Sequence, residues 1–281
     1  MRRRRIVSAA LVGGLVVVAG GRVMASPRGT VGMAVDYQTG DYGSGQTTDA
    51  WAVTLTASFR PTDRWVLDVS VPYLYQSAST TTTTAGGMRF DVSSDGRTSS
   101  STMGPGHREP GAGNVATVTD SQSGLGDVVV GVGYTLIEEG DDLPQLSVSS
   151  AVKIPTADEE KNLGTGEWDL EVGLALAKIV GDWDVFASGR YVFQGESEAF
   201  GLKDFAVLEA GLGRFVGEAA EVWASTAWAS APSEFSDPSA EVRLGIDFGL
   251  PSGLGLGGYL SKGLTDGAPD YGAGVSASVA F

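Results

Sequence analysis

Apolar side chains recur at every second position along most of this chain, the period of a strand with two unlike faces. The carboxy-terminal residues show it most plainly. Tyr271, Ala273, Val275, Ala277, Val279 and Phe281 share one face, and Gly272, Gly274, Ser276, Ser278 and Ala280 share the other. The same alternation predicts twelve strands, near 29 to 38, 48 to 59, 63 to 76, 123 to 137, 144 to 155, 165 to 178, 182 to 195, 203 to 215, 219 to 230, 237 to 249, 253 to 261 and 270 to 281. The connections alternate in length as well. Those at 60–62, 138–143, 180–181, 216–218 and 250–252 are short, and those at 39–47, 77–122, 156–164, 196–202, 231–236 and 262–269 are longer. An even strand count with short periplasmic turns and long extracellular loops is the asymmetry of an outer-membrane barrel with both termini inside.

The polar faces separate this reading from a soluble sandwich. Trp183, Val185, Ala187, Tyr191 and Phe193 alternate with Asp184, Ser188, Arg190 and Gln194, and Val242, Leu244, Ile246 and Phe248 with Glu241, Arg243 and Asp247. A dry sandwich core would impose several kcal/mol of desolvation on each such charge, whereas a watered lumen imposes far less. In hydrocarbon only a closed sheet pairs every strand N–H and C=O. The predicted fold class is therefore all-β: a single closed antiparallel transmembrane β-barrel of about 12 strands. Trp65 and Trp183 fall near the inner strand ends and Tyr73, Tyr75, Tyr191 and Phe193 near the outer ones, as two interfacial girdles would. Pro72 lies inside the third segment and removes a ladder donor, which calls for a bulge there or an earlier exit from the membrane.

The first residues read as a targeting segment. Arg2, Arg3, Arg4 and Arg5 precede an apolar run over 6–19, and Val23-Met24-Ala25 suits a signal peptidase. The expected organisation is a signal peptide at 1–25 and an outer-membrane β-barrel at 26–281, with a long extracellular loop at 77–122. An uncleaved anchor is disfavoured because the run falls short of the roughly 20 residues of a spanning helix. The formal charge is −15, from 19 basic and 34 acidic residues; removing 1–25 takes five arginines and leaves roughly −20. That excludes nucleic acid as a natural partner, since its backbone demands clustered Lys and Arg. Cysteine is absent, so disulfides, thiolate metal sites and Cys nucleophiles are excluded.

The candidate functional residues are the charges expected to line the lumen: Asp36, Asp68, Asp127, Glu167, Asp169, Glu171, Asp184, Glu209, Glu221, Glu241 and Asp247, with Lys153, Arg190, Arg214 and Arg243. Acid exceeds base, so an accessible pore should prefer cations. The alternative is a structural network that fills a narrow barrel. Arg190 and Arg243 stand out because each lies mid-strand among acids, and a guanidinium fork holds carboxylates or shapes a constriction. The stretch 77–122 is either a constriction folded over the pore or an extension of its flanking strands with a mobile tip. His107, the only histidine, sits between Gly106 and Arg108 without an orienting partner nearby, so no catalytic constellation emerges. The acids Glu138, Glu139, Asp141 and Asp142, and Asp158, Glu159 and Glu160, lack the spacing of a calcium loop and read as solvated turns; the outer group suits divalent bridges to lipopolysaccharide. No cofactor and no metal are implied.

One ordered set of motifs carries a family likeness. Ser123-Gly124-Leu125-Gly126-Asp127 opens a strand, Lys153-Ile154-Pro155-Thr156 closes the next, and Leu163-Gly164-Thr165-Gly166 with Asp169 opens another. Together with Asp182-Trp183 and Tyr191-Val192-Phe193-Gln194-Gly195, this resembles the outer-membrane barrel family named for a meta-pathway of phenol degradation. Ala157 stands where relatives often carry glycine. Members of that family are regarded as outer-membrane transporters, some encoded beside aromatic-degradation genes, and have no agreed catalytic residues. The resemblance thus implies a channel for small, aromatic or hydrophobic solutes in the cell outer membrane. A non-transport structural or adhesive barrel ranks second and an outer-membrane hydrolase last. The implied partners are a small-molecule solute, outer-membrane lipid and lipopolysaccharide, and the barrel assembly machinery, with a monomer as the expected state.

Overall fold

The structure is a computed structural model of the chain, and it describes residues 9–12, 15–18, 28–42, 47–77, 82–85, 88–91, 121–197 and 200–281. The strands are β1 (Gly29–Gly40), β2 (Thr48–Phe59), β3 (Trp65–Gln76), β4 (Gln122–Leu125), β5 (Val128–Ile137), β6 (Gln145–Ile154), β7 (Asp169–Val180), β8 (Trp183–Phe193), β9 (Phe205–Val216), β10 (Ala220–Ala229), β11 (Ser239–Gly249), β12 (Leu254–Gly263) and β13 (Tyr271–Ala280). Because β4 and β5 are two halves of one stave, these thirteen segments make twelve staves, each antiparallel to its neighbours. The wall closes where β13 pairs with β1, from Tyr271 opposite Thr39 to Ala280 opposite Thr30. Two further pairs, Ala9–Val12 with Leu15–Val18 and Thr82–Ala85 with Met88–Asp91, bond only within themselves.

Following the register once around the wall returns to β1 displaced by about 14 residues, which for twelve staves implies a tilt of about 40° and a backbone radius of about 11 Å.

Burial is inverted relative to a soluble domain. Val31, Met33, Leu55, Leu174, Leu208, Leu244, Leu260 and Val275 are exposed on the outer face, while Lys153, Asp169, Arg190, Glu209, Glu241 and Arg243 are buried on the inner one. An apolar surface this continuous needs hydrocarbon around it. Aromatic rings border the belt at both ends. Phe59, Trp65, Trp183, Phe248 and Phe281 mark the end that carries the terminal strands' ends, and Trp51, Tyr73, Tyr191, Phe193 and Tyr271 mark the other. The short turns gather at the first end, which is therefore periplasmic, and the long loops at the second, extracellular end.

Pro72 sits at a bulge. β3 pairs with β4 from Tyr73 opposite Leu125, and with β5 up to Ser70 opposite Val129, leaving one extra residue on the partner stave around Gly126 and Asp127. The Gly126 N–H donates to the Pro72 carbonyl at 2.8 Å. Pro72 therefore turns its donor-less nitrogen toward the interrupted ladder, where little is lost.

Candidate functional site

On the extracellular side, residues 155–168 fold into the barrel mouth instead of standing above it. Leu163 and Thr165 are each 1% exposed. The fold-in begins at Thr156, whose hydroxyl donates to the Gly126 carbonyl at 2.9 Å and accepts from the Val128 N–H at 3.0 Å. The Ala157 N–H then bonds to the Asp127 carboxylate at 3.0 Å. A single 3-10 turn, Glu159–Lys161, ends at Asn162 in the left-handed region, φ 56°. The Gln76 side-chain amide donates to the Asn162 carbonyl at 3.0 Å, and Leu163 lies where a side chain at Gly124 would otherwise stand.

Lys153 holds this assembly from the wall. Its Nζ lies 2.7 Å from Asp169 Oδ2 and 3.4 Å from Asp127 Oδ2, and it donates to Thr165 Oγ1 at 2.9 Å. The Asp169 carboxylate also accepts from the Gly195 N–H at 3.2 Å. One buried cation thus ties β6, the bulge, β7 and the inward loop, with its desolvation offset by two carboxylates.

A second network lies on the extracellular side of β8, β9, β11, β12 and β1. Arg243 pairs with Glu241 two residues away on the same face, Arg190 Nη2 lies 3.9 Å from Glu209 Oε2, and the Tyr259 hydroxyl donates to Asp36 at 2.8 Å. The Arg243 guanidinium stands 5.9 Å from the centre of the Tyr259 ring. Val192, Phe205, Val207, Ala227 and Ala229 form a small apolar cluster above the Arg190 level. The connections beside it touch through a bridge between Leu202 and Ser233.

The periplasmic part differs. Asp184, Glu221 and Asp247 face inward there, with Glu221 directly opposite Asp247 across β10 and β11. Glycines on adjoining staves give these side chains room to lie along the wall. Gly213 takes the Glu221 carboxylate, Gly257 that of Asp247, and Gly131 that of Asp68. Three rings use the same device: Phe186 over Gly211, Trp223 over Gly245 and Tyr259 over Gly274. A Cβ at any of these glycines would push the larger group into the lumen.

Residues 82–281 match the family described as "Putative MetA-pathway of phenol degradation". The chain belongs to this family. Among solved structures, an outer-membrane channel of Pseudomonas putida F1 superposes with a TM-score of 0.68 at 13% identity, over 92% of this chain and 97% of that one. The KdgM porin gives a TM-score of 0.50 at 6% identity, over 90% and 99% of the two chains, and the NanC porin 0.50 at 10% identity, over 89% and 98%. At such identities the likeness establishes the fold, that of outer-membrane barrels.

In this family member the sequence-predicted charges separate into groups. Lys153 gathers Asp127 and Asp169, with Glu167 beside Gly195 at the head of β7; Arg190, Glu209, Glu241, Arg243 and Asp36 form the second network; Asp68 and Glu171 face the lumen from β3 and β7. Arg214 is a correction. It stands on the outer face in line with Leu208 and Leu212, with its guanidinium 5.3 Å from the centre of the Trp183 ring at the periplasmic girdle. The strand expected from 165 starts only at Asp169, because Thr165 binds Lys153 and Gly166 takes a positive φ of 73°. Sequence reading also missed Leu163, an apolar residue in a polar loop, which was the available signal. His107 and most of 77–122 lie outside the described residues, as do 1–8, 13–14 and 19–25 of the expected signal peptide.

Proposed function

We propose that the protein is an outer-membrane channel through which small solutes pass by diffusion, with residues 1–25 serving as its signal peptide. The observation that carries this reading is the lumen wall. Its larger inward groups lie along the wall over glycine niches instead of reaching across the interior, an arrangement that supports a passage along the axis. The inward loop at 155–168 is the constriction, and the lining charges are those named above without Arg214. The fold's likeness to a barrel named as an outer-membrane channel supports the same reading.

The test is conductance. Protein extracted from outer membranes is inserted into a planar bilayer under a potassium chloride gradient, and the reversal potential is read. Stable openings with a cation-selective potential are expected. A folded, inserted barrel that never conducts would return the protein to a structural or adhesive role.

A further inference from the structure

Resting on the channel reading, we propose that the periplasmic part of the lumen binds aliphatic di- or polyamines through the carboxylates of Asp184, Glu221 and Asp247. These three acids come from β8, β10 and β11, and the register brings them into one arc. Asp184 lies opposite Gly213 of β9. Glu221 reaches back from β10 and lays its carboxylate over that same glycine. Asp247 faces Glu221 across the β10–β11 pair and is fixed by the Trp223 indole N–H at 2.6 Å. Glu221 accordingly feels both neighbouring charges.

No ion pair among the described residues engages this arc, and Arg60, part-buried at the turn after β2, interacts with Asp63. Lys153, Arg190 and Arg243 are engaged toward the extracellular side. Lys178 is turned onto the carbonyl oxygens of Gly140, Asp141 and Leu143 beside Glu139, and Arg214 points outward. Independently, Asp184 is only 6% exposed and its Oδ1 has no hydrogen-bond partner. A buried acceptor in that state takes a donor, and an ammonium group brings both the N–H and the opposite charge.

The spread of the acids selects among cations. Among the described residues no three carboxylates converge on one metal position. Staves stand about 5 Å apart, so carboxylates laid out from β8 to β12 span on the order of 10–15 Å, a length that ammonium groups spaced along a flexible chain can follow and a single ion cannot. Each ammonium brings three donors, whereas a quaternary ammonium brings none.

The experiment measures spermidine binding to the full protein in detergent by calorimetry, and spermidine block of bilayer currents from each side. Magnesium and tetraethylammonium at matched ionic strength are the comparators. Spermidine is expected to bind at least tenfold more tightly than either and to block from the periplasmic side. The double variant Glu221→Gln with Asp247→Asn should lose at least tenfold in affinity while keeping the heat-modifiable migration of a folded barrel. Equal binding of all three cations, or binding indifferent to the double variant, would overturn the proposal. A barrel that never conducts but still binds spermidine through Glu221 would refute the channel and leave the amine site standing.

Discussion

A buried ammonium enclosed by two carboxylates and a hydroxyl predicts its own mutational cost. Lys153→Met would leave Asp127 and Asp169 facing each other with neither paired to a cation. Breaking a buried pair costs about 3–5 kcal/mol, so urea unfolding in lipid should show a loss of that order, partly recovered by adding Asp127→Asn. A glycine niche makes a second prediction at this scale. Gly245→Leu leaves no room for the Trp223 indole, which must swing into the lumen. Single-channel conductance should fall severalfold while the folded barrel persists. These niches were only half legible in the sequence. The alternation placed Gly245 inward, but which ring lies on it depends on register between β10 and β11, and local sequence does not fix that pairing. Arg214 teaches the converse. Alternation from Leu208 and Leu212 already put it outside, and grouping it with the lumen charges followed its charge instead of its parity.

Among the elements, the strands were readable because each carries its own period of two, and the observed ends fall within a few residues of those expected apart from the start of β7. Pro72 announced a bulge for the same local reason, a missing donor. The loop at 155–168 was not readable, since its descent depends on partners outside it: Gln76 and Gly124 from distant segments and Lys153 from the strand it follows. Its apolar contact supplies the test. Leu163→Asp places a charge at a position 1% exposed and should expel the loop from the mouth. Conductance is then expected to rise at least twofold, with the open-state current also less noisy. An unchanged current would show that the loop does not constrict the path.

At the scale of the whole molecule, charge is sorted along the barrel axis. Lys153, Arg190 and Arg243 lie toward the extracellular side among acids that match them, while Asp184, Glu221 and Asp247 occupy the periplasmic side with no ion pair among the described residues. The sequence announced the acid excess through its net charge of −15 but not this sorting, which arises only when strand direction assigns each residue a height. Sorting has an electrical consequence. The lumen wall stands about 11 Å from the axis, close to the screening length of about 10 Å at 0.1 M salt and well beyond the 3 Å or so at 1 M. At low salt the acidic arc should therefore control the whole cross-section, and at high salt only a thin layer beside the wall. The reversal potential in a fixed tenfold gradient is expected to be strongly cation-selective when the mean concentration is near 0.1 M and to shrink toward zero near 1 M. Glu221→Gln combined with Asp247→Asn should remove most of the low-salt selectivity and change the high-salt value little. Selectivity that persists undiminished at 1 M would instead locate the filter at a contact constriction, where an ion touches the wall and screening has no room to act.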